Sequence, residues 1–545
     1  MNENMQCELF EIHSDGLTIS ETALIANVSI STIRNWIKTG YLIEKSKGYI
    51  SKESLEIFMS EIAGKHKLNS RANKSRKIKK FETNNQIDID TLIESYKDEE
   101  IGIRYQKSLP ESHRNKEGIY YTPSDIVRDM YKGVPIKKEY KFLDPCCGSG
   151  NFIIEAVRQG IKPENVYGYD TDANAVKITL KRLRDEFGYE SKNIVIGDFL
   201  EEAGKLQTNK IKFDLIFTNP PWGKKIEKNK KEFFSNLYDC GNSLDTTSLF
   251  LGASFHLLKE EGYLGFLVQE ALFNIGSFED IRKKILSKNV IRFIDYGKAF
   301  NGLLTKAQSF VLSNKKSELD NLVECHDGKN IFKRKINSFA LNPKSIINFS
   351  TNEDDSIIIK QLYSKKHITL KNRVIGGLGI MTGNNKKYCS KYEKVGYVPI
   401  YKGSDITKEG LKEASTFILN DFSKFQQVAP LELYHSNEKI IYKFISSDLC
   451  FYCDKGQRYI LNSANFFIPK NVGVTAEQLT LLLNSEIINW LFKKLFGTYK
   501  VLRGDIESLP IHIDYFLEND IFSEEKYLEY LQIIKNEDGT YNLKK

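Results

Sequence analysis

Between about Gly102 and Pro343, short apolar runs alternate with helix-length segments, and this alternation constrains the fold more than any other feature of the 545 residues. Lys141-Phe142-Leu143, Asn165-Val166-Tyr167-Gly168-Tyr169, Asn193-Ile194-Val195-Ile196 and Asp214-Leu215-Ile216-Phe217 read as strands. Phe152 to Gln159 and Ala173 to Phe187 read as helices between them. Tyr263 to Val268 and Ile291 to Asp295 continue the series. A βαβα series gives a mostly parallel sheet with helices on both faces, hence an α/β domain. Beyond about Ser350 the alternation stops and a mixed α+β region begins.

In open α/β sheets, ligands bind outside the carboxyl ends of the strands. Four segments with chemical character fall there. Asp144-Pro145-Cys146-Cys147-Gly148-Ser149-Gly150 links the first strand to a helix. Small residues in such a loop let the backbone approach a ligand, and the helix start presents bare N–H groups. The spacing is neither G-x-G-x-x-G nor a P-loop. Asp170 closes the second strand about twenty residues after Gly148, where a carboxylate suits the two hydroxyls of a ribose; Thr171 follows it. Asp198 is placed to accept an adenine amino group and Phe199 to pack on the ring. Either acid also reads as a helix cap. The fourth segment is Asn219-Pro220-Pro221-Trp222-Gly223, after the fourth strand.

FLDPCCGSGNF followed by TNPPWG resembles the amino-methyltransferases, whose signature is Asp/Asn/Ser-Pro-Pro-aromatic. Gly118-Ile119-Tyr120-Tyr121-Thr122-Pro123 resembles the segment that such DNA enzymes place over the cofactor. With the cofactor motif first, the catalytic motif second and a large region behind, the order resembles the gamma class of adenine-N6 DNA methyltransferases. The resemblance implies a Rossmann-like domain using S-adenosyl-L-methionine. It implies cofactor contacts from Tyr121, Thr122, Pro123, Asp144, Cys146, Gly148, Gly150, Asp170, Thr171, Asp198 and Phe199. It implies catalysis by Asn219, Pro220, Pro221 and Trp222, with Trp222 and Phe278 stacking on a flipped adenine. Phe278 also reads as an ordinary core residue. Pro145-Cys146 is similar to the Pro-Cys nucleophile of cytosine-C5 enzymes but lies in the wrong loop, so Cys146 and Cys147 read as small packing residues.

The flanks read as separate domains. Residues 1–62 hold two short helices around Asn27-Val28-Ser29, a small wing (Tyr41-Leu42 with Gly48 to Ile50) and a third helix from Ser51 to Met59. The first helix reads as starting at Ser20, and Ala26, Val28, Ile33, Trp36 and Ile37 as core. This stretch resembles the helix-turn-helix domains of the MerR and excisionase type, which implies DNA contacts from Ser31, Arg34 and Lys38. A protein-interaction module is the alternative. Residues 63–100 read as a basic linker, 101–350 as the catalytic domain, 351–520 as a target-recognition domain and 521–545 as a tail. The recognition domain includes one helical stretch from Leu479 to Leu495. Cys450 and Cys453 have metal-type spacing but no second pair, so no metal is expected.

A net charge of +8 leans toward a polyanionic partner. The N-terminal stretch lacks the pattern of a secretory signal and no window approaches about 18 uncharged apolar residues, so a cytoplasmic protein away from membranes is expected. The reading is a site-specific adenine DNA methyltransferase acting on double-stranded DNA, with a cognate restriction endonuclease as a separate chain. Cytosine-N4, protein-glutamine and RNA amino-methylation, and a non-enzymatic DNA-binding regulator, are the alternatives.

Overall fold

The computed structural model describes residues 16–26, 30–38, 42–46, 48–61, 91, 95, 99–109, 120–300, 303, 305–318, 320–497 and 499–544. Contacts divide the chain into two compact units, Met1–Tyr121 and Thr122–Lys545.

In the first unit, helix α1 spans Ile19–Ile25, α2 Ile30–Lys38 and α3 Lys52–Glu61. The cap of α1 is Thr18, not the expected Ser20. Thr18 Oγ1 accepts the Glu21 N–H at 3.2 Å while Glu21 Oε2 accepts the Thr18 N–H at 2.7 Å. Only Thr18 has a glutamate three residues on to complete this reciprocal cap. Strands β1 (Leu17–Thr18), β2 (Glu44–Ser46) and β3 (Tyr49–Ile50) pair in the order β1-β3-β2. The wing thus starts after Leu42, which sits in the core with Ala23, Ile33, Trp36, Ile50, Leu55 and Phe58. Ala26 and Ile37 line its margin, and Val28 lies outside the described residues, as does the basic segment 64–80.

The second unit begins with nine strands among the described residues: β4 (Phe142–Asp144), β5 (Val166–Asp170), β6 (Ile194–Ile196), β7 (Phe213–Thr218), β8 (Leu258–Gln269), β9 (Lys288–Asp295), β10 (Ala307–Lys316), β11 (Leu322–His326) and β12 (Ile331–Lys335). They form one sheet in the order β12-β11-β9-β10-β8-β7-β4-β5-β6. Strands β4 to β8 are parallel to their neighbours within that group, and β10 runs antiparallel between β8 and β9. The chain steps outward from β4 to β5 and β6, then returns to β7 on the other side. That reversal opens a crevice beyond the carboxyl ends of β4 and β7, the place where such sheets hold ligands.

Behind this sheet come β13 (Val374–Leu378), β14 (Cys389–Ser390), β15 (Tyr397–Tyr401), β16 (Phe417–Leu419), β17 (Lys439–Lys443), β18 (Phe451–Asp454), β19 (Tyr459–Ile460) and β20 (Ala464–Pro469). They make two four-stranded sheets, β13-β20-β17-β18 and β14-β16-β15-β19. Strand β17, with Ile440, Ile441 and Tyr442 all buried, shows why. Ile440 and Tyr442 point into a core shared with the C-terminal helices, and Ile441 into a second core shared with the other sheet.

Two expectations are corrected here. The stretch 479–495 is two helices, Ala476–Leu483 and Glu486–Phe496. Asn484 turns aside to pair with the Phe451 backbone and Ser485 caps the second helix, accepting from Ile488 N. Residues 521–545 are not a loose tail. Helix Glu524–Leu531 and a hairpin of Ile533–Lys535 with Tyr541–Leu543 put Tyr527, Leu531, Ile533 and Tyr541 into the core. Among the described residues no helix is long and apolar enough to cross a membrane, and no group of acidic, histidine and cysteine side chains is placed to hold a metal ion. Cys450 and Cys453 point to different partners, the Ile406 carbonyl and the Glu438 carboxylate.

Candidate active site

At the end of β4 the chain turns through Gly148 (φ +51°) and Gly150 (φ +87°) into helix Asn151–Arg158. No atom lies within 4 Å of where a Cβ on Gly148 would stand, whereas one on Gly150 would meet Thr179 Cγ2 at 2.7 Å. The first glycine therefore leaves room beside the loop, and the second lets helix Ala173–Phe187 close on it. That helix pins the loop with two side chains. Thr179 Oγ1 donates to the Gly148 carbonyl at 2.9 Å, and Arg182 Nη1 to Ser149 O and Asn151 Oδ1, both at 2.6 Å.

Asp170, closing β5, accepts Gly148 N at 2.8 Å on one oxygen and Asp172 N at 2.9 Å on the other. Burial raises its pKa and the two N–H bonds oppose the rise. Thr171 beside it is exposed. Asp198 follows β6, is exposed, and caps helix Phe199–Thr208 by accepting Leu200 N at 3.0 Å. The cap occupies only one of its oxygens.

Two side chains of the covering segment and the catalytic motif meet directly. Thr122 is buried; its carbonyl accepts from Asn151 Nδ2 at 2.7 Å and its hydroxyl from Asn219 Nδ2 at 3.1 Å. Anchoring the amide nitrogen of Asn219 fixes which end of that side chain is the acceptor. Pro123 precedes helix Ser124–Tyr131, and Tyr121 is the last residue of the first unit. Pro220 is buried and Pro221 half-buried.

Asp144 is 1% exposed and takes Thr218 Oγ1 at 2.6 Å and Cys146 N at 3.2 Å on the same oxygen. Burial, with Asp170 nearby, pushes its carboxyl up to about 7 despite those bonds. The Cys146 sulfur lies 3.0 Å from Thr218 Oγ1 and 3.1 Å from the Asn219 carbonyl. Burial and Asp144 hold the thiol well above its ordinary pKa, so it is a neutral donor and not a thiolate.

The aromatic residues depart from expectation. Phe199 is 1% exposed and packs between Tyr169 and Phe250, within the core. Phe278, 8% exposed, belongs to the same core and offers no open face to a base. Trp222 is 6% exposed, edge-on to Phe300 at 5.1 Å, with Nε1 donating to Leu267 O at 3.4 Å. Each is large and apolar beside a packed sheet, and burial claims it. Thr179, Arg182, Asn151 and Thr218 were missed. Their only sequence signal is adjacency to a motif or a three-residue spacing on a helix. Of the expected DNA contacts, Arg34 is exposed on α2; the side chains of Ser31 and Lys38 lie outside what is described.

Residues 105–355 match the family of N-6 DNA methylases, and residues 398–511 the TaqI-like C-terminal specificity domain. The chain is 43% identical over 411 residues to the type II methyltransferase M.VspI of Vibrio sp. (strain 343), covering 74% of this chain and 100% of that one. It is 27% identical over 197 residues to the modification methylase CviBIII of Paramecium bursaria Chlorella virus NC1A, covering 35% of this chain and 47% of that one. With a glycine loop and an Asn-Pro-Pro-Trp loop facing each other at the sheet's switch point, the chain belongs to the N-6 DNA methylase family, as a DNA methyltransferase of the restriction-modification type.

Proposed function

We propose that this site methylates the exocyclic N6 of an adenine turned out of duplex DNA, using S-adenosylmethionine, and that the chain is a gamma-class enzyme. The observation that carries the reading is the seating of Asn219. It stands at the carboxyl end of β7, its amide nitrogen on Thr122 and its carbonyl against Cys146, beside the glycine loop. The gamma order is supported by the specificity domain lying behind both motifs.

The pocket fits the cofactor. Open space faces Gly148, Asp170 suits ribose hydroxyls, Asp198 suits an adenine amino group, and Thr122 and Pro123 belong to the covering segment. Bound there, the sulfonium supplies a methyl group that is already activated. The protein's task is then to expose a nitrogen lone pair. An adenine amino group is planar because that pair is delocalised into the ring. The Asn219 side-chain oxygen and the Pro220 carbonyl accept its two N–H bonds and favour the pyramidal nitrogen. Consecutive prolines fix the direction of that carbonyl.

The experiment is to incubate purified protein with unmethylated DNA and the cofactor and to sequence the product for modified bases. N6-methyladenine at one short recurrent sequence, absent with Asn219→Ala, is the expected result. Methyl groups on cytosine N4, RNA or protein glutamine instead overturn the adenine reading. A cognate endonuclease on a separate chain follows from the restriction-modification type, and protection of the methylated DNA from a cell extract tests it.

Residues 1–62 form a second DNA-binding unit on this reading, supported by the capped α1, the α2 helix bearing exposed Arg34, and the β2–β3 wing. In the full chain Arg34→Ala should weaken binding to DNA lacking the methylation site. An unchanged affinity across a salt titration removes α2 from that role.

A further inference from the structure

Strands β4 and β7 are parallel neighbours, with Phe142 opposite Leu215 and Leu143 opposite Ile216. Their carboxyl ends therefore bring Asp144 and Thr218 side by side, although 74 residues separate them in sequence. Both are buried, in a position where a polar group is tolerated only if it is bonded. The bonds run in one direction. Thr218 has a single hydroxyl hydrogen, and the 2.6 Å contact to Asp144 Oδ1 uses it. The hydroxyl oxygen then faces the Cys146 thiol, whose hydrogen is shared between that oxygen and the Asn219 carbonyl at 3.1 Å. Cys146 is in turn held to Asp144 through its own backbone N–H.

We propose that Thr218 is a positioning residue for methyl transfer, fixing the Asn219-Pro220 carbonyls against the glycine loop through Asp144 and Cys146. The proposal rests on the reading that Asn219 and Pro220 receive the target amine. A carbonyl can favour a pyramidal nitrogen only if it stays where the amine arrives. Asn219 is held at its side chain by Thr122. Its backbone carbonyl, one peptide before that of Pro220, is held from the other side by Cys146. Thr218 is the residue that ties this second hold to the strand end rather than to a loop.

The ionised Asp144 is the better acceptor for the Thr218 hydroxyl, so the arrangement is strongest with the carboxylate form. The groups acting on Asp144 are Asp170 of β5, Tyr131 of helix Ser124–Tyr131, Cys146 and Cys147 of its own loop, and Thr218. Lys224, beyond the Asn-Pro-Pro-Trp loop, acts on Asp170 and Cys146. With the acidic neighbour and burial raising Asp144 to about 7 and Thr218 lowering it, removal of the hydroxyl shifts the titration upward.

Thr218→Val keeps shape and removes the hydroxyl. Measured with full-length protein, kcat should fall about tenfold while KM for DNA stays within about twofold, since the loss is of alignment and not of binding. Two pH midpoints should move upward together: the acid limb of kcat, and S-adenosylhomocysteine binding followed by calorimetry, because Asp144 stands at the start of the glycine loop proposed to hold the cofactor. Thr218→Ser should restore both. Cys146→Ala should lower kcat while leaving the midpoints nearer wild type, because the Thr218–Asp144 bond remains. A Thr218→Val protein with wild-type kcat, or with unmoved midpoints, overturns the proposal if Asn219→Ala is inactive. An active Asn219→Ala instead overturns the reading of the loop, and the proposal with it.

Discussion

At the carboxyl ends of β4 and β7, Asp144, Cys146, Thr218 and Asn219 are joined by bonds of 2.6–3.2 Å beside the glycine loop. In the specificity domain the comparable buried polar group is Lys439 with Asp454, 2.6 Å apart and both fully buried, with Arg458 on the second oxygen. Lys439 Nζ also bonds the Tyr434 carbonyl, so it ties β17 and β18 to the chain ahead of them. Exposed polar and aromatic residues sit elsewhere, on turns such as 391–396, just ahead of the residues that match the specificity domain. On the reading proposed above, buried polarity arranges a reaction in one region; in the other it fixes a scaffold and leaves recognition to the surface. Methyl transfer tolerates little misplacement, whereas reading DNA requires side chains that reach outward.

If this contrast is right, the largest effect on folding comes from the scaffold pair. Asp454→Asn leaves the Lys439 ammonium buried with its counter-charge gone, and stability should fall by about 3–5 kcal/mol. Adding Lys439→Met should recover most of it, as read from urea unfolding. Changed target sequence at unchanged stability would instead give this pair a recognition role. Next comes Asn219→Ala, which should cut methyl transfer by about 10²–10³-fold, the scale of losing one preorganised acceptor or donor at a reacting centre. S-Adenosylhomocysteine affinity should hold, since alanine keeps the backbone carbonyl that Cys146 of the glycine loop bonds and loses only the side-chain bond to Thr122. A matched loss of cofactor affinity would blur the division of labour between β4 and β7.

The same contrast explains what the sequence discloses. Strands β4 to β7 fall within a residue or two of their expected positions and helix Ala173–Phe187 on its expected bounds, because alternating apolar runs and a capping Asp172 are local signals. The cofactor and catalytic loops are equally local, since glycine and proline announce backbone geometry. Partners across the sheet are not local: Thr218 and Asp144 become neighbours only through the parallel pairing of β4 with β7. Nor does sequence separate an aromatic that lines a pocket from one that backs it. Phe199 and Phe278 stand where the family pattern places ring contacts, yet both are packed into the central core. The final residues looked like a tail because their apolar positions, Tyr527, Leu531 and Tyr541, are spread over a short helix and hairpin that only long-range packing joins.

A smaller effect is expected at Gly150. Its left-handed φ and the 2.7 Å approach of Thr179 Cγ2 leave no place for a methyl group, so Gly150→Ala should cost about 1–3 kcal/mol. Cofactor binding should weaken with it, because the loop must shift. Thr179→Ala added to the variant should relieve the clash but not the backbone strain, restoring part of both. Full restoration would show that crowding alone, and not the left-handed turn, requires glycine there.

The smallest effect, and the one that bears most directly on the specificity domain, concerns the turn between β14 and β15. Tyr392 is 77% exposed at its tip, with exposed Lys391, Lys394 and Val395 around it. The Tyr392 N–H donates to Ser390 Oγ at 3.1 Å, which shapes the turn and leaves the ring outward. Lys394 leans over the Tyr397 ring, 5.8 Å from its centre, and still carries its charge at the surface. A phenol ring flanked by two lysines offers stacking or groove contact together with phosphate attraction. Tyr392→Ala should therefore raise KM for DNA about three- to tenfold while kcat, cofactor affinity and unfolding midpoint stay unchanged. Lys391→Ala with Lys394→Ala should weaken DNA binding to a similar degree and also flatten its salt dependence, which Tyr392→Ala should not do. If the tyrosine variant loses stability instead, the tip belongs to the scaffold, and the division between buried support and exposed reading fails at the place where it is most sharply drawn.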